Sequence, residues 1–276
     1  MLEQRQLPGW ICRGASGCFG RRARIHFRRD SGTAVHVRLS LVIPAFNEAE
    51  RLPRCLDVLL SARGILAADE IVVVDDGSSD GTLVVARAAA ARDARVRVVA
   101  CERNRGKGAA LRSGMAGTRG RFVLFTDADL SFDLPDLERV VACAEGGADV
   151  AIGARDLCDD GVVYPSRRRS VATRVFSALV QAGFGLGIPD TQCGLKAFRG
   201  DAGRTLFRAL SVDRFGFDVE LLWLARHWGL RIERVPVRMK WASGSSVRPV
   251  RDGARMAVDL ARIRWRAAAG AYPERP

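Results

Sequence analysis

The chain has 276 residues, 48% of them hydrophobic, and a formal net charge of +13. That is apolar material for one large α/β domain; the positive charge comes almost wholly from arginine, since Lys107, Lys196 and Lys240 are the only lysines. Such basicity favours an anionic surface, no apolar run approaches the roughly 18 residues that span a bilayer, and seven scattered cysteines form no Cys-x-x-Cys or Cys/His cluster, which argues against zinc and suits a reducing compartment.

Residues 1–38 are rich in Gly, Arg and Ser without sustained periodicity, and read as a basic, mostly disordered extension with no apolar core of a secretory signal. A domain over 39–248 follows. Leu39–Ile43 reads as a strand running into Pro44-Ala45-Phe46-Asn47-Glu48, where the glycines of a dinucleotide loop are missing, so NAD and FAD are disfavoured. Glu48–Arg63 has helical periodicity through Leu52, Leu56, Leu59 and Leu60. A second strand, Glu70–Val74, ends at Asp75-Asp76-Gly77-Ser78, acidic side chains at a strand end that can accept hydrogen bonds from a base or ribose. Taken alone that motif is also an ordinary turn with a helix cap.

Thr82–Arg92 reads as a helix and Val96–Ala100 as a third strand. Arg105-Gly106-Lys107-Gly108 then opens a helix to Thr118, where glycines allow close backbone approach and the helix N-terminus favours anions. Lys107 can touch a diphosphate or a base there; the plainer reading is a solvated lysine. A fourth strand, Arg121–Phe125, precedes Asp127-Ala128-Asp129, and Pro135–Glu145 and Val150–Gly153 continue as helix and strand. This alternation demands an α/β fold with a mostly parallel central sheet and helices on both faces. Beyond it, Arg169–Leu186 and Phe217–Trp228 read as helices, and Cys193–Phe198 and Leu230–Val237 as strands. Residues 249–276 read as a basic amphipathic helix and tail, with Ala254, Val258, Ala261 and Trp265 on one face and Arg251, Arg255, Arg262 and Arg266 on another. That pattern suits an interfacial helix, and equally a surface helix packed on the core.

Two carboxylates, Asp127 and Asp129, emerge together at the C-terminal end of a buried strand, the edge where open α/β sheets bind ligands. Such a pair can share a hard divalent cation, Mg²⁺ or Mn²⁺, which in turn holds a diphosphate. An EF-hand is the rival, but Phe132 stands where that loop requires glycine.

Together, Pro44-Ala45-Phe46-Asn47-Glu48, Asp75-Asp76-Gly77-Ser78, Asn104-Arg105-Gly106-Lys107-Gly108 and Asp127-Ala128-Asp129 resemble a family-2 glycosyltransferase with the GT-A nucleotide-sugar-binding fold. Asp190-Thr191-Gln192-Cys193-Gly194-Leu195-Lys196, Phe215-Gly216-Phe217-Asp218-Val219-Glu220-Leu221 and Trp241-Ala242-Ser243-Gly244-Ser245-Ser246-Val247 narrow the resemblance to the polyprenyl-phosphate sugar transferases, the dolichyl-phosphate β-glucosyltransferases above all. The resemblance implies an inverting, metal-dependent transferase that moves a sugar from a nucleotide, UDP-glucose first, to a polyprenyl phosphate. It implies that Pro44, Ala45, Glu48, Asp75 and Asp76 line the nucleotide, and that Lys107, Gln192 and Lys196 approach the diphosphate. Asp127 and Asp129 would hold the metal, and Arg155 and Arg168 would grip the acceptor phosphate. Ser131 stands where some relatives carry a glutamine, and Ser245-Ser246 where a Ser-Lys is common. The alternatives are GDP-mannose as donor, a different acceptor, or, from charge alone, a nucleic-acid-binding protein, for which no motif is present. An enzyme of this kind without a spanning segment is expected in the cytoplasm, peripheral on the inner, anionic face of the membrane.

Overall fold

The computed structural model describes residues 37–158, 167–240 and 249–275, with the backbone alone at 167–173, 249–252 and 254. Nearly all of the basic extension, the Ser245-Ser246 pair and the side chain of Arg168 therefore lie outside the described residues.

Seven strands, β1 (Leu39–Ala45), β2 (Glu70–Asp75), β3 (Val96–Ala100), β4 (Phe122–Phe125), β5 (Val150–Ala154), β6 (Lys196–Arg199) and β7 (Ile232–Pro236), form one sheet in the order β3-β2-β1-β4-β6-β5-β7. The helices are α1 (Leu52–Ser61), α2 (Thr82–Arg92), α3 (Lys107–Ala116), α4 (Leu134–Glu145), α5 (Arg167–Phe184), α6 (Gly200–Ala209), α7 (Phe217–His227) and α8 (Pro249–Ala268). The order gives the mixed α/β architecture that the alternation predicts. β6 is antiparallel to both its neighbours, β4 and β5, whereas β5 and β7 pair in parallel.

Side-chain alternation along the strands splits the core in two. Leu41 and Ile43 of β1, Ile71 and Val73 of β2 and Leu124 of β4 pack with α1, α2 and α4. Their neighbours Val42, Val72, Val74, Val123 and Phe125 face the other way and meet α3, α6, α7 and α8. Strands buried on both faces read as continuous apolar runs, which is why these were visible in the sequence. The second core is aromatic: Phe125 and Phe198 stack with centroids 6.0 Å apart, and Phe207 meets Phe198 edge-on at 5.6 Å.

Two local differences from the sequence reading have clear causes. α1 begins at Leu52 rather than Glu48, because the Glu48 carbonyl accepts the N–H groups of Arg51 and Leu52 in a tight turn after Asn47, whose φ is +56°. α6 has no counterpart in the sequence reading. Two of its ten residues are glycine, which weakens the helical signal, yet Ala202, Leu206 and Phe207 seal it onto the second core.

The topology fixes the place of the site. From β1 the chain runs outward through β2 to β3, then returns to set β4 on the opposite side of β1. The crevice at such a reversal, beyond the carboxyl ends of β1 and β4, is where open α/β sheets bind ligands.

Candidate active site

The loops after β1 and β2 are laced together at this crevice. Asn47 N–H donates to Ser78 Oγ at 3.0 Å, Ser79 N–H to Asn47 Oδ1 at 2.9 Å, and Glu48 N–H to Thr82 Oγ1 at 2.8 Å. Pro44, which lacks an N–H, is tolerated inside a central strand because the pairing of β1 with β4 ends at Val42↔Phe125. Burial raises the Glu48 carboxyl above the ordinary range against the pull of Arg51, with Asp129 and Asp127 adding to the rise. The acid after β1 and the pair after β4 thus share one field.

Asp75 and Asp76 are both buried. Asp76 accepts the backbone N–H groups of Arg105 at 3.0 Å and Gly106 at 2.7 Å, so its carboxylate shapes the loop that carries Lys107. Ser78 N–H points at the Asp75 carboxylate at 3.4 Å. Gly106, with φ of +112°, is required twice over: that conformation suits glycine, and a Cβ there would lie 2.8 Å from the Asp213 carbonyl.

From this loop Lys107 reaches Asp127, Nζ to Oδ1 at 2.5 Å. Burial works against its charge, but Asp127 and Asp218 outweigh burial and raise the Lys107 pKa. Asp129 is held by its own turn, where Ser131 donates to Oδ1 from both its N–H (3.1 Å) and its hydroxyl (2.7 Å). Ser131 is therefore an orienter of the second carboxylate. Leu130, between them, adopts a left-handed φ of +48° that closes the turn. Gly194 sits against the pair, and a Cβ there would fall 2.2 Å from Asp127 Oδ2.

The segment 190–196 supplies the floor. Lys196 is completely buried, and its ammonium donates to Asp218 at 2.6 Å and to the carbonyls of Cys193 (2.7 Å) and Thr191 (3.2 Å). The sequence reading set Lys196 against the donor; the three protons of its ammonium are instead committed inside the protein, where they hold the loop over Asp127. Both Lys107 and Lys196 lie within 6 Å of the Phe125 ring centroid, at 5.8 and 5.4 Å, so the ring face supports two cations. A row of alternating charge, Asp127, Lys107, Asp218, Lys196, thus runs from the crevice into the core. Gln192 is half-buried, and its Nε2 is buried without a hydrogen-bond partner among the described residues.

Arg155, after β5, forks onto Asp190, Nε to Oδ2 and Nη2 to Oδ1 both at 2.7 Å, while Nη1 approaches Met239 Sδ at 3.3 Å. That pair lowers the Asp190 carboxyl despite its burial. Arg168 is the second residue of α5, where the backbone alone is described.

Sequence reasoning assigned no role to Asp218, Glu220 or Asp190. Glu220 is fully buried and accepts Ser211 Oγ at 2.5 Å, Val212 N–H at 2.8 Å and Tyr272 O–H at 2.6 Å. A signal was present: two carboxylates within the apolar run of α7 must find partners, because an unpaired buried charge is too costly to keep.

Asp127 and Asp129 fit a divalent cation. They are partly exposed hard oxygen donors on one turn, and Mg²⁺ or Mn²⁺ is commonly bound by one or two carboxylates together with substrate phosphates. Among the described residues no cluster of three or more His, Cys, Asp or Glu side chains could hold a metal unaided.

The model of glycosyl transferase family 2 matches residues 40–207, and the chain belongs to that family. It is 37% identical over 251 residues to dolichyl-phosphate β-glucosyltransferase of Drosophila melanogaster, covering 86% of this chain and 77% of the relative. To the Homo sapiens protein of the same name it is 35% identical over 254 residues, covering 85% and 77%. Among solved structures, glucosyl-3-phosphoglycerate synthase from Mycobacterium tuberculosis with Mn²⁺, UDP-glucose and phosphoglyceric acid superposes with a TM-score of 0.58 at 23% identity, covering 83% and 80%. That likeness establishes the GT-A fold. The chain is a glycosyltransferase.

Proposed function

We propose that this enzyme transfers glucose from UDP-glucose to a polyprenyl phosphate, with inversion, at the crevice between β1 and β4. The observation that carries the reading is the Asp127–Asp129 pair at the topological switch point, with Lys107 at 2.5 Å from Asp127, in a chain 37% identical to a dolichyl-phosphate β-glucosyltransferase.

In this reading Asp127 and Asp129 would hold Mg²⁺ or Mn²⁺, which would supply positive charge to neutralise that developing on the leaving nucleoside diphosphate. Pro44, Ala45, Glu48, Asp75 and Asp76 form the nucleotide wall, Asp76 acting by fixing the 105–107 loop. Lys107 moves from Asp127 toward the diphosphate, and the amide of Gln192 gains a partner there. Lys196 positions the loop above Asp127. Arg155 and Arg168 receive the acceptor phosphate, Arg155 by sharing its fork with Asp190. No strong base is needed: a phosphate monoester has its second pKa near 6 and is largely dianionic at neutral pH. One phosphate oxygen attacks the anomeric carbon, the bond to the diphosphate oxygen breaks, and the sugar leaves in the β configuration. Positioning and charge neutralisation supply the rate.

The enzyme works peripherally on the cytoplasmic face of the membrane. Among the described residues no helix is long and apolar enough to cross a bilayer. Of the seven exposed large hydrophobic side chains among the described residues, four, Val175, Leu179, Val258 and Trp265, lie on α5 and α8, two helices that pack together.

The test is a donor panel with a polyprenyl phosphate, Mg²⁺ or Mn²⁺, and labelled UDP-glucose, UDP-galactose, UDP-N-acetylglucosamine or GDP-mannose. Lipid-extractable label is expected from UDP-glucose, lost with EDTA and reduced by about two to three orders of magnitude in Asp129→Asn. Label from GDP-mannose would reassign the donor, metal-dependent nucleotide release without lipid label would reassign the acceptor, and an active, metal-dependent Asp129→Asn would remove the metal assignment.

A further inference from the structure

Beside the crevice lies a second concavity, of about 720 Å³, that none of the chemistry above uses. It is lined by Arg103 and Arg105 from the loop before α3, Asp213 and Arg214 from the turn before α7, and Arg255, Val258, Asp259 and Arg262 from α8. Five arginines therefore face two carboxylates. One of those carboxylates is already taken, since Asp213 binds Arg105 at 3.1 Å and also Arg112, which lies outside the groove. The guanidinium groups of Arg103, Arg214, Arg255 and Arg262 make no hydrogen bond or salt bridge with another described residue, although the Asp259 carboxylate attracts those of Arg262 and Arg214. So many guanidinium groups converging on one concavity repel one another unless an anion joins them, and guanidinium geometry matches phosphate oxygens in bidentate fashion.

We propose that this groove binds the phosphate of an anionic phospholipid headgroup, which anchors α8 on the membrane beside the active site. The shared chemistry is a phosphate anion, and the surroundings select the lipid as its source. The sequence reading set Val258 and Trp265 on a different face from Arg255 and Arg262, but at three- and four-residue spacing the four follow one another along a single stripe of α8. Val258, which lines the concavity, is 60% exposed and Trp265, further along the same stripe, 69%, so exposed apolar side chains accompany the arginines, the arrangement that a headgroup with acyl chains below it satisfies. The groove also shares its loop with the active site: Arg103 and Arg105 belong to the segment that Asp76 fixes and that ends in Lys107. A headgroup held there would orient the crevice toward the membrane that supplies the acceptor. The inference rests on the membrane-facing reading above and adds the place where the lipid is held.

The experiment is flotation with phosphatidylcholine vesicles containing or lacking phosphatidylglycerol, at low and high salt, using the full chain. Arg255→Gln/Arg262→Gln is compared with Arg87→Gln/Arg92→Gln, an equal loss of charge from the exposed face of α2. Wild type binds the anionic vesicles in a salt-sensitive way; the groove pair weakens binding roughly 25-fold, about fivefold per arginine, and the α2 pair changes it little. Transfer to a short-chain polyprenyl phosphate in detergent is unchanged in the groove pair. Equal weakening by both pairs would overturn the proposal in favour of diffuse surface charge. Loss of pyrophosphate binding in the groove pair with vesicle binding intact would overturn it in favour of a soluble phosphate ligand. Wild type that ignores vesicles altogether would sink the membrane reading and the headgroup site with it.

Discussion

Lys196 is the residue whose chemistry departs furthest from its sequence context. It opens β6, a strand with neighbours on both sides, and carries a charge at zero exposure. Asp218 and two carbonyls satisfy it. Removing one partner of such a pair leaves the other charged, buried and unmatched, which costs about 3–5 kcal/mol. Lys196→Met is therefore expected to lower unfolding free energy by that amount in urea titration, and Lys196→Met/Asp218→Leu to recover most of the loss. A single variant as stable as wild type would return Lys196 to the donor. The carboxylate pair and Lys107 were legible because each closes a strand or opens a helix beside a glycine. Asp218 and Asp190 were not, because their partners lie 22 and 35 residues away, and sequence order does not announce which distant charges meet.

Two buried thiols at the same scale give the protein an alkaline limit. Burial, with neighbouring carboxylates, pushes both Cys55 and Cys193 from the usual 9.0 to about 12. Folded-state values above the unfolded ones mean stability that is complete below pH 9 and lost as pH climbs from 9 toward 12. Each thiol contributes a slope of about 1.4 kcal/mol per pH unit in that window. Cys193→Ala should flatten the decline in urea midpoint between pH 9 and 11 relative to wild type; parallel declines would show that the thiol is accessible when folded.

Among the elements, β1, β2, β4 and β5 could be read directly, since each is a short apolar run buried on both faces; β3, at the sheet edge and only partly buried, was read from its valines alone. β6 was visible as a strand, but its direction was not: four residues carry no mark of orientation, which is set by how α5 and the 185–195 segment return the chain. α8 was readable as amphipathic, yet the pattern could not say whether it floats or docks. It docks through Ile263, which is fully buried, and Leu260, and the segment after it is tied back by Tyr272 to Glu220 and by Trp228 Nε1–H to the Pro273 carbonyl at 3.1 Å. Glu220 also holds Ser211 and Val212, whose neighbour Asp213 accepts Ala109 N–H at 2.9 Å at the start of α3. The C-terminal segment is thus connected through one carboxylate to the helix that bears Lys107. Tyr272→Phe removes one hydrogen bond to that charged acceptor, so a loss of about 1.5–3 kcal/mol is expected in urea unfolding; no loss would mean that the tail merely rests on α7.

For the molecule as a whole, the position of β6 governs more than the site. It lies between β4 and β5 in the sheet, yet it is made after both, with α5 intervening in the chain. Until residue 199 has left the ribosome, β4 and β5 each present a strand edge with its backbone groups unpaired. Unfilled edges of this kind recruit other chains, and pairings that close long loops are slow. The nascent protein therefore passes through a stage in which its first half is folded enough to expose those edges and too short to seal them. A fragment ending at residue 195 is expected to aggregate on expression, whereas one ending at residue 275 stays monodisperse in light scattering; a well-behaved shorter fragment would show that the edges are guarded by another segment. The late strand is where a translational pause or a chaperone would act, and where a premature stop would do most harm.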